Sequence, residues 1–440
     1  MEQNTKVVQR NYLFAFIVIT SLFALWGFDN DITNPMVSAF KKVLKDLSNT
    51  EAALVQLAFY GGYGTMAIPA AIFIKRFSYK AGILVGLGLY ATGALLFYPA
   101  ASYEAFGFFL IALYILTFGL AFLETTANPY ILSMGSDETA TRRLNLAQSF
   151  NPIGSLVGML TAQLYILAAL KSDNYSIDEY NALGLAEQAT IKTNDLMMIR
   201  NPYVMLGFVV LVIFIIIAFS KMPKNEDKDK SLNVIPTFKR LFSNKRYYEG
   251  VLAQMFYVGA QIMVWTFIFQ YVDQMNQTRP ADKQLVATWY NMAAMISFLT
   301  GRWICTYLLK YFNAGRLLTI FAIGAIFASA GAIFLPGIIG LYSLLMISVF
   351  MSLMFPTIYG IALKDMREDA KLASALLVMA IVGGALMPPM QGRILDIGGG
   401  AFDDVRILGV PEVRFSYILP MMCFFIVLRY GYRSYKIHLK

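Results

Sequence analysis

The chain of 440 residues is 58% hydrophobic and only 14% charged, with a mean hydropathy of +0.58. That balance leaves too little polar surface for a water-soluble globule of this size, so lipid must solvate the chain. A formal net charge of +9 would suit nucleic acid in a soluble protein, but here it fits basic cytoplasmic loops facing anionic lipid, and no nucleic-acid partner is expected.

Crossing a hydrocarbon core of roughly 30 Å takes about 20 helical residues. In chain order, the apolar runs that meet or approach this length are 11–28, 52–74, 81–103, 105–123, 144–170, 201–220, 250–272, 284–301, 317–363 and 372–392. The run 317–363 is twice too long for one span, and the breaker pair Pro336-Gly337 near its middle predicts two helices joined by a tight turn. A short last run, 415–428, is flanked by Arg414 and Arg429, whose stems can reach the headgroups, and brings the total to twelve.

With both termini in the cytoplasm, 24 of the 36 Lys and Arg residues fall on the cytoplasmic side, eight of them in the segment 221–246, as the positive-inside rule requires. Lys41, Lys42 and Lys45 in the first outer loop run against the trend. The basic segment divides the chain into a six-helix bundle at 1–220, a cytoplasmic linker at 221–246 and a second six-helix bundle at 247–440. The other long polar insert, 171–200, has no hydrophobic periodicity and is expected to be a partly helical surface loop. The first apolar run has no small-residue cleavage site before Trp26, so it is expected to be a span and not a signal peptide. Cys305 and Cys423 both fall in predicted spans and read as packing residues.

Ionisable groups within a bilayer are costly unless paired or wetted, so each is a candidate functional group. They are few: Asp29 and Asp31 in the first span, Glu124 in the fourth and Arg302 in the eighth. The only histidine, His438, is in the C-terminal tail. Any proton carrier must therefore be a carboxylate, and no metal site or cofactor is expected. Glu124 is the foremost proton-coupling candidate, because burial favours the protonated carboxyl and brings its ionisation into a useful range. The plain alternative is a permanently neutral or Arg-paired brace, with Arg302 the candidate charge partner. Asn128 lies one turn from Glu124 on the same face, and Pro129 leaves the Thr125 carbonyl without its helical donor.

In the first span, Pro35 likewise frees the Asp31 carbonyl. At 100° per residue, Asp29 and Asp31 are about 200° apart and cannot both face one cavity. Trp26, Asn30 and Asn34 form the main polar stripe, and Asp31, three residues before Asn34, is the preferred second proton-coupling acid. The plain alternative is a helix end where either carboxylate meets water. Gln148 and Asn151 share a face at the start of the fifth span. In the seventh, Gln254, Tyr257, Gln261 and Trp265 are spaced by 3, 4 and 4, a stripe of amides and aromatics suited to a sugar, whose hydroxyls pair with amides while its apolar face stacks on indole. Interhelical bonding and an interfacial aromatic belt could also explain it. Phe355, Thr357 and Tyr359 flank Pro356 in the tenth span.

At these residues the chain resembles the fucose permease family of sugar-proton symporters within the major facilitator superfamily. The resemblance is carried by Leu123-Glu124-Thr125-Thr126-Ala127-Asn128-Pro129-Tyr130, by Arg143-Leu144-Asn145-Leu146-Ala147-Gln148-Ser149-Phe150-Asn151, by the stretch from Ala253 to Gln261, by Phe355-Pro356-Thr357-Ile358 and by Ser78-Tyr79-Lys80-Ala81-Gly82. It implies that Glu124 is the proton-linked acid and that Gln148 and Asn151 contact the sugar. Two positions depart from the family pattern: Asn34 stands where a first-helix aspartate is typical, and Phe355 where a tenth-helix tyrosine is. The expectation is an all-α membrane protein of twelve spans, a monomer of the bacterial inner membrane. It would import a monosaccharide with a proton by alternating access, with L-fucose first. The alternative is glucose, galactose or N-acetylglucosamine, carried by a sodium-coupled carrier or a facilitator. No clustered nucleophile and base or phosphate loop supports an enzyme.

Overall fold

The computed structural model describes residues 7–33, 35–44, 47, 49–175, 177–222, 234–364, 366, 369–395, 397 and 405–438. Among them, eleven helical stretches are long and apolar enough to cross a membrane. The twelfth expected span is α13 (Ala287–Leu308), which is of comparable length but carries Asn291 and Arg302. The fold is all-α apart from a two-residue hairpin pairing Arg406–Ile407 with Val410–Pro411.

Contacts within the chain gather into two compact units. One comprises Asn11–Tyr130 and Ile153–Leu232, and the other Met1–Arg10, Ile131–Pro152 and Asn233–Lys440. In the first unit, α1 (Leu13–Thr33) is followed by the short α2 (Met36–Val43), α3 (Asn49–Arg76), α4 (Tyr79–Ser102) and α5 (Phe106–Leu132). Helix α1 runs a full turn past the expected end at residue 28, so Asp29 and Asp31 both lie inside it. Its last described residue is Thr33, two residues before Pro35.

Helices α6 (Ala140–Gln148) and α7 (Asn151–Leu160) are separated by a break at Ser149 and Phe150, and a π-turn at Thr161–Ile166 follows. Gly154 and Gly158 of α7 form a small-xxx-small pair. A Cβ at Gly154 would strike the Ala24 carbonyl oxygen, and one at Gly158 the Phe28 carbonyl oxygen. Only glycine lets α7 approach α1 this closely.

The insert at 171–200 is more helical than its lack of periodicity suggests. After the short α8 (Ile177–Ala182), α9 runs from Leu185 to Phe219, beginning sixteen residues before the apolar run itself. Asp195 fixes the start of the insert by accepting from the Lys171 and Ser172 amides at 2.9 and 2.8 Å. At its edge, Glu104 meets Lys192 at 3.0 Å and accepts from Thr193 at 2.6 Å. Partial burial pushes the Glu104 carboxyl up, but donation from Thr193 and Lys192 outweighs it and holds the group below the usual range.

In the second unit, α10 (Val234–Ser243) comes from the basic linker and places Arg240 2.8 Å from Asp369. The helices α11 (Lys245–Thr266), α12 (Ile268–Asn276), α13, α14 (Ala314–Phe334), α15 (Gly337–Met351) and α16 (Met354–Leu363) follow. The turn predicted at Pro336-Gly337 separates α14 from α15, and Gly337 takes φ +60°, which a side chain disfavours. Helix α17 (Ala370–Met379) leads through short helical turns to α18 (Gly383–Leu386) and α19 (Pro388–Leu395). Next come α20 (Glu412–Phe415) and α21 (Ile418–His438), which is longer than the apolar run that announced it. Cys305 and Cys423 are buried free thiols in the packing.

Candidate functional site

Two groups of polar residues lie within the spans, one in each unit. In the first unit, Glu124 sits on α5 with Pro129 one turn beyond it in the same continuous helix. Its side chain is half-buried, and its Oε2 is buried with no hydrogen-bond partner. Thr125, Thr126 and Asn128 around it are fully buried. Trp26 is buried against Phe23, with ring centroids 4.6 Å apart, and its indole nitrogen has no partner.

Neither α1 acid meets open water: Asp29 is 0% exposed and Asp31 9%. Asp31 is engaged by neighbouring groups, whereas both Asp29 oxygens lack a hydrogen-bond partner. Tyr63 of α3 lies within electrostatic reach of both Glu124 and Asp29. Asn34 lies outside the described residues.

In the second unit, Gln148 ends α6 and Asn151 opens α7, so the face that spacing assigns to the pair is interrupted by the break between them. The break has a covalent cause. Pro152 has no amide hydrogen, so the Gln148 carbonyl has no donor four residues on. Arg302 supplies one, its Nη1 donating to Gln148 O at 3.0 Å. The same guanidinium repeats the task elsewhere: Pro356 deprives the Ser352 carbonyl of its helical donor, and Arg302 Nε donates to Ser352 O at 2.6 Å. The Phe298 ring stacks beneath it, 4.5 Å from Cζ. Among the described residues no salt bridge includes Arg302. One buried cation thus joins two proline-broken helices through carbonyl oxygens. The signal was present in the spacing, since each proline lies four residues after the carbonyl that it frees.

The α11 stripe grades from closed to open. Gln254 and Tyr257 are fully buried, while Gln261 and Trp265 are half-buried. Tyr257 donates its hydroxyl proton to Met351 O at 3.1 Å, which commits that group to helix packing. Gln254 is different: neither its Oε1 nor its Nε2 has a partner, an arrangement that a bound polar molecule or water would complete. Trp265 is oriented by donation from Nε1 to Ser348 Oγ at 3.2 Å and by an edge contact with Phe298. Phe355 is half-buried between Tyr257 and Tyr359, with ring centroids 6.4 and 6.3 Å away. Asn145 of α6 donates to Thr357 Oγ1 at 3.2 Å, tying α6 to α16.

Carboxyl oxygens without a hydrogen-bond partner thus lie on α1 and α5 of the first unit, at Asp29 and Glu124, and an amide without one, that of Gln254, lies on α11 of the second. Residues 15–389 match the Major Facilitator Superfamily. Along 99% of both chains, the sequence is 54% identical to the L-fucose-proton symporter of Haemophilus influenzae. The chain belongs to the fucose permease family of that superfamily. A crystal structure of the E. coli fucose:proton symporter superposes with a TM-score of 0.83 at 30% identity, over 97% of this chain and 99% of that one. The family also reaches the glucose/galactose transporter of Brucella abortus, 32% identical over 96% of this chain and 94% of the relative. The twelve-span fold and its membership of a transporter family, not an enzyme family, agree with these matches.

Proposed function

We propose that this protein is a proton-coupled symporter that imports L-fucose across the bacterial inner membrane as a monomer. The observation that carries the reading is Glu124, whose Oε2 is buried without a partner at membrane depth, in a chain 54% identical over its length to an L-fucose-proton symporter. Its protonation removes the cost of a desolvated charge, so proton and sugar binding favour the same neutral state.

In this reading Gln148 and Asn151, at the break between α6 and α7, hydrogen-bond sugar hydroxyls, with Gln261 and Asn128 adding amides. Trp265 stacks on the apolar face of the pyranose, while Trp26, Tyr257 and Phe355 shape the cavity. Asp31 is the first-helix candidate for a second coupling acid, and Asn34 is a substrate candidate by sequence alone. Rocking of the two six-helix halves, 1–220 and 247–440 about the linker 221–246, then exposes the loaded site to the cytoplasm, where Glu124 releases its proton.

A second reading is favoured by one specific position: Asn34, an amide that cannot carry a proton, points to a sodium-coupled or uncoupled carrier of glucose, galactose or N-acetylglucosamine. One experiment separates the two. Purified protein in proteoliposomes is loaded with labelled L-fucose, competed with unlabelled sugars, and driven by an imposed pH gradient or an imposed sodium gradient. Competition by L-fucose and uptake driven by pH alone support the symporter. Indifference to L-fucose with competition by glucose, or uptake driven by sodium alone, overturns it.

A further inference from the structure

Asp29 is separate from the residues given roles above. It lies on α1 one turn before the helix end, is 0% exposed, and has no hydrogen-bond partner at either carboxyl oxygen. Among the described residues no salt bridge includes it.

Three buried phenols are among its electrostatic neighbours. Tyr63 of α3, Tyr90 of α4 and Tyr203 of α9 all lie within its electrostatic reach. Tyr203 is held in place by the hydroxyl of Thr33 at 2.9 Å and by stacking on Phe97 at 3.9 Å, while the Tyr90 hydroxyl has no partner. On a further side, α7 presses its Gly158 against the carbonyl of Phe28, the residue next to Asp29. The acids nearby are Asp31, two residues along the same helix, and Glu124, which acts electrostatically on the same Tyr63.

A carboxylate so enclosed would be a desolvated charge with no counter-ion, and such a group takes up a proton in preference to remaining ionised. A cation would serve as well only if several oxygens converged on it. Among the described residues no group of three or more His, Cys, Asp or Glu does so.

We infer that Asp29 is a further proton-binding site of this carrier, distinct from Glu124 and Asp31, holding its proton as a carboxylic acid among Tyr63, Tyr90 and Tyr203. One proton from water adds to the carboxylate to give the neutral acid, and it returns to water when repacking of the tyrosine cage admits solvent. No other reactant is needed. This deepens the symporter reading and rests on it only for the use of the proton in transport.

Infrared difference spectroscopy of the purified protein in lipid, titrated with pH and without sugar, tests the site independently of substrate. At neutral pH, Asp29→Asn loses one protonated-carboxyl C=O band that Glu124→Gln retains, and Asp29→Glu restores a band at a shifted frequency. The site is refuted if the carboxylic region of Asp29→Asn superimposes on that of the wild type. It is equally refuted if sodium chloride removes the Asp29 band at constant pH, because the carboxylate then holds a cation. Should Asp29→Asn fail to fold, the shifted band of Asp29→Glu decides by its presence or absence. Failure here leaves L-fucose competition untouched, and failure of that competition leaves the band untouched.

Discussion

The two units solve the problem of charge inside a membrane in opposite ways. The unit containing α1 and α5 buries acids, and at Asp29 and Glu124 it leaves carboxyl oxygens without hydrogen-bond partners. The unit containing α13 buries the cation of Arg302 and satisfies it with two carbonyl oxygens and an aromatic face. The first arrangement suits a group whose charge changes during a cycle. The second suits a fixed joint, because guanidinium stays charged at any physiological pH.

This contrast can be broken most severely at Arg302. Arg302→Ala strands the Gln148 and Ser352 carbonyls at about 1–3 kcal/mol each, which predicts a large loss of thermal stability and of transport. Arg302→Lys, with a single point of donation, recovers only part of both. Thermal unfolding in detergent beside sugar exchange checks this. If Arg302→Ala is as stable as the wild type, the joint is not structural.

A smaller effect is expected in the first unit at Gly154→Ala. The added methyl meets the Ala24 carbonyl oxygen, and the overpacking costs roughly 1–3 kcal/mol, read as a lowered unfolding temperature. Smaller again is Ser348→Ala, which releases the Trp265 indole nitrogen. Losing one hydrogen bond of about 1 kcal/mol weakens sugar binding by roughly fivefold in equilibrium titration, with folding unchanged.

The smallest is at the surface. Glu104→Gln removes a half-buried pair worth at most about 1 kcal/mol. Because the folded Glu104 carboxyl lies below its ordinary range, its contribution is present above the ordinary glutamate pKa and lost as pH falls through the lowered folded value. A pH series of unfolding temperatures should therefore show the variant and the wild type converging only in acid.

Much of this was legible in the chain itself. Long charge-free runs announced the spans, and Pro336-Gly337 announced the turn between α14 and α15, because each depends on local chemistry that no tertiary contact overrides. Glu124 was conspicuous for the same reason, as a lone acid in an apolar run. What escaped was relational. Helical spacing placed Asp29 and Asp31 on opposite flanks but could not tell which flank meets tyrosines from α3, α4 and α9. The spacing of Gln148 and Asn151 suggested one continuous face, whereas Pro152 breaks the helix between them. Arg302 read as a partner for a carboxylate, because a sequence shows charges more readily than the carbonyls that two distant prolines set free.

Proton movement on sugar addition tests the central claim most directly. When L-fucose is added to proteoliposomes in a lightly buffered medium, the wild type should turn the medium alkaline as protons enter with sugar, and Glu124→Gln should abolish that change while labelled L-fucose still exchanges. An alkaline shift that persists in Glu124→Gln, or a wild type that takes up L-fucose with no change in external pH, would contradict the account.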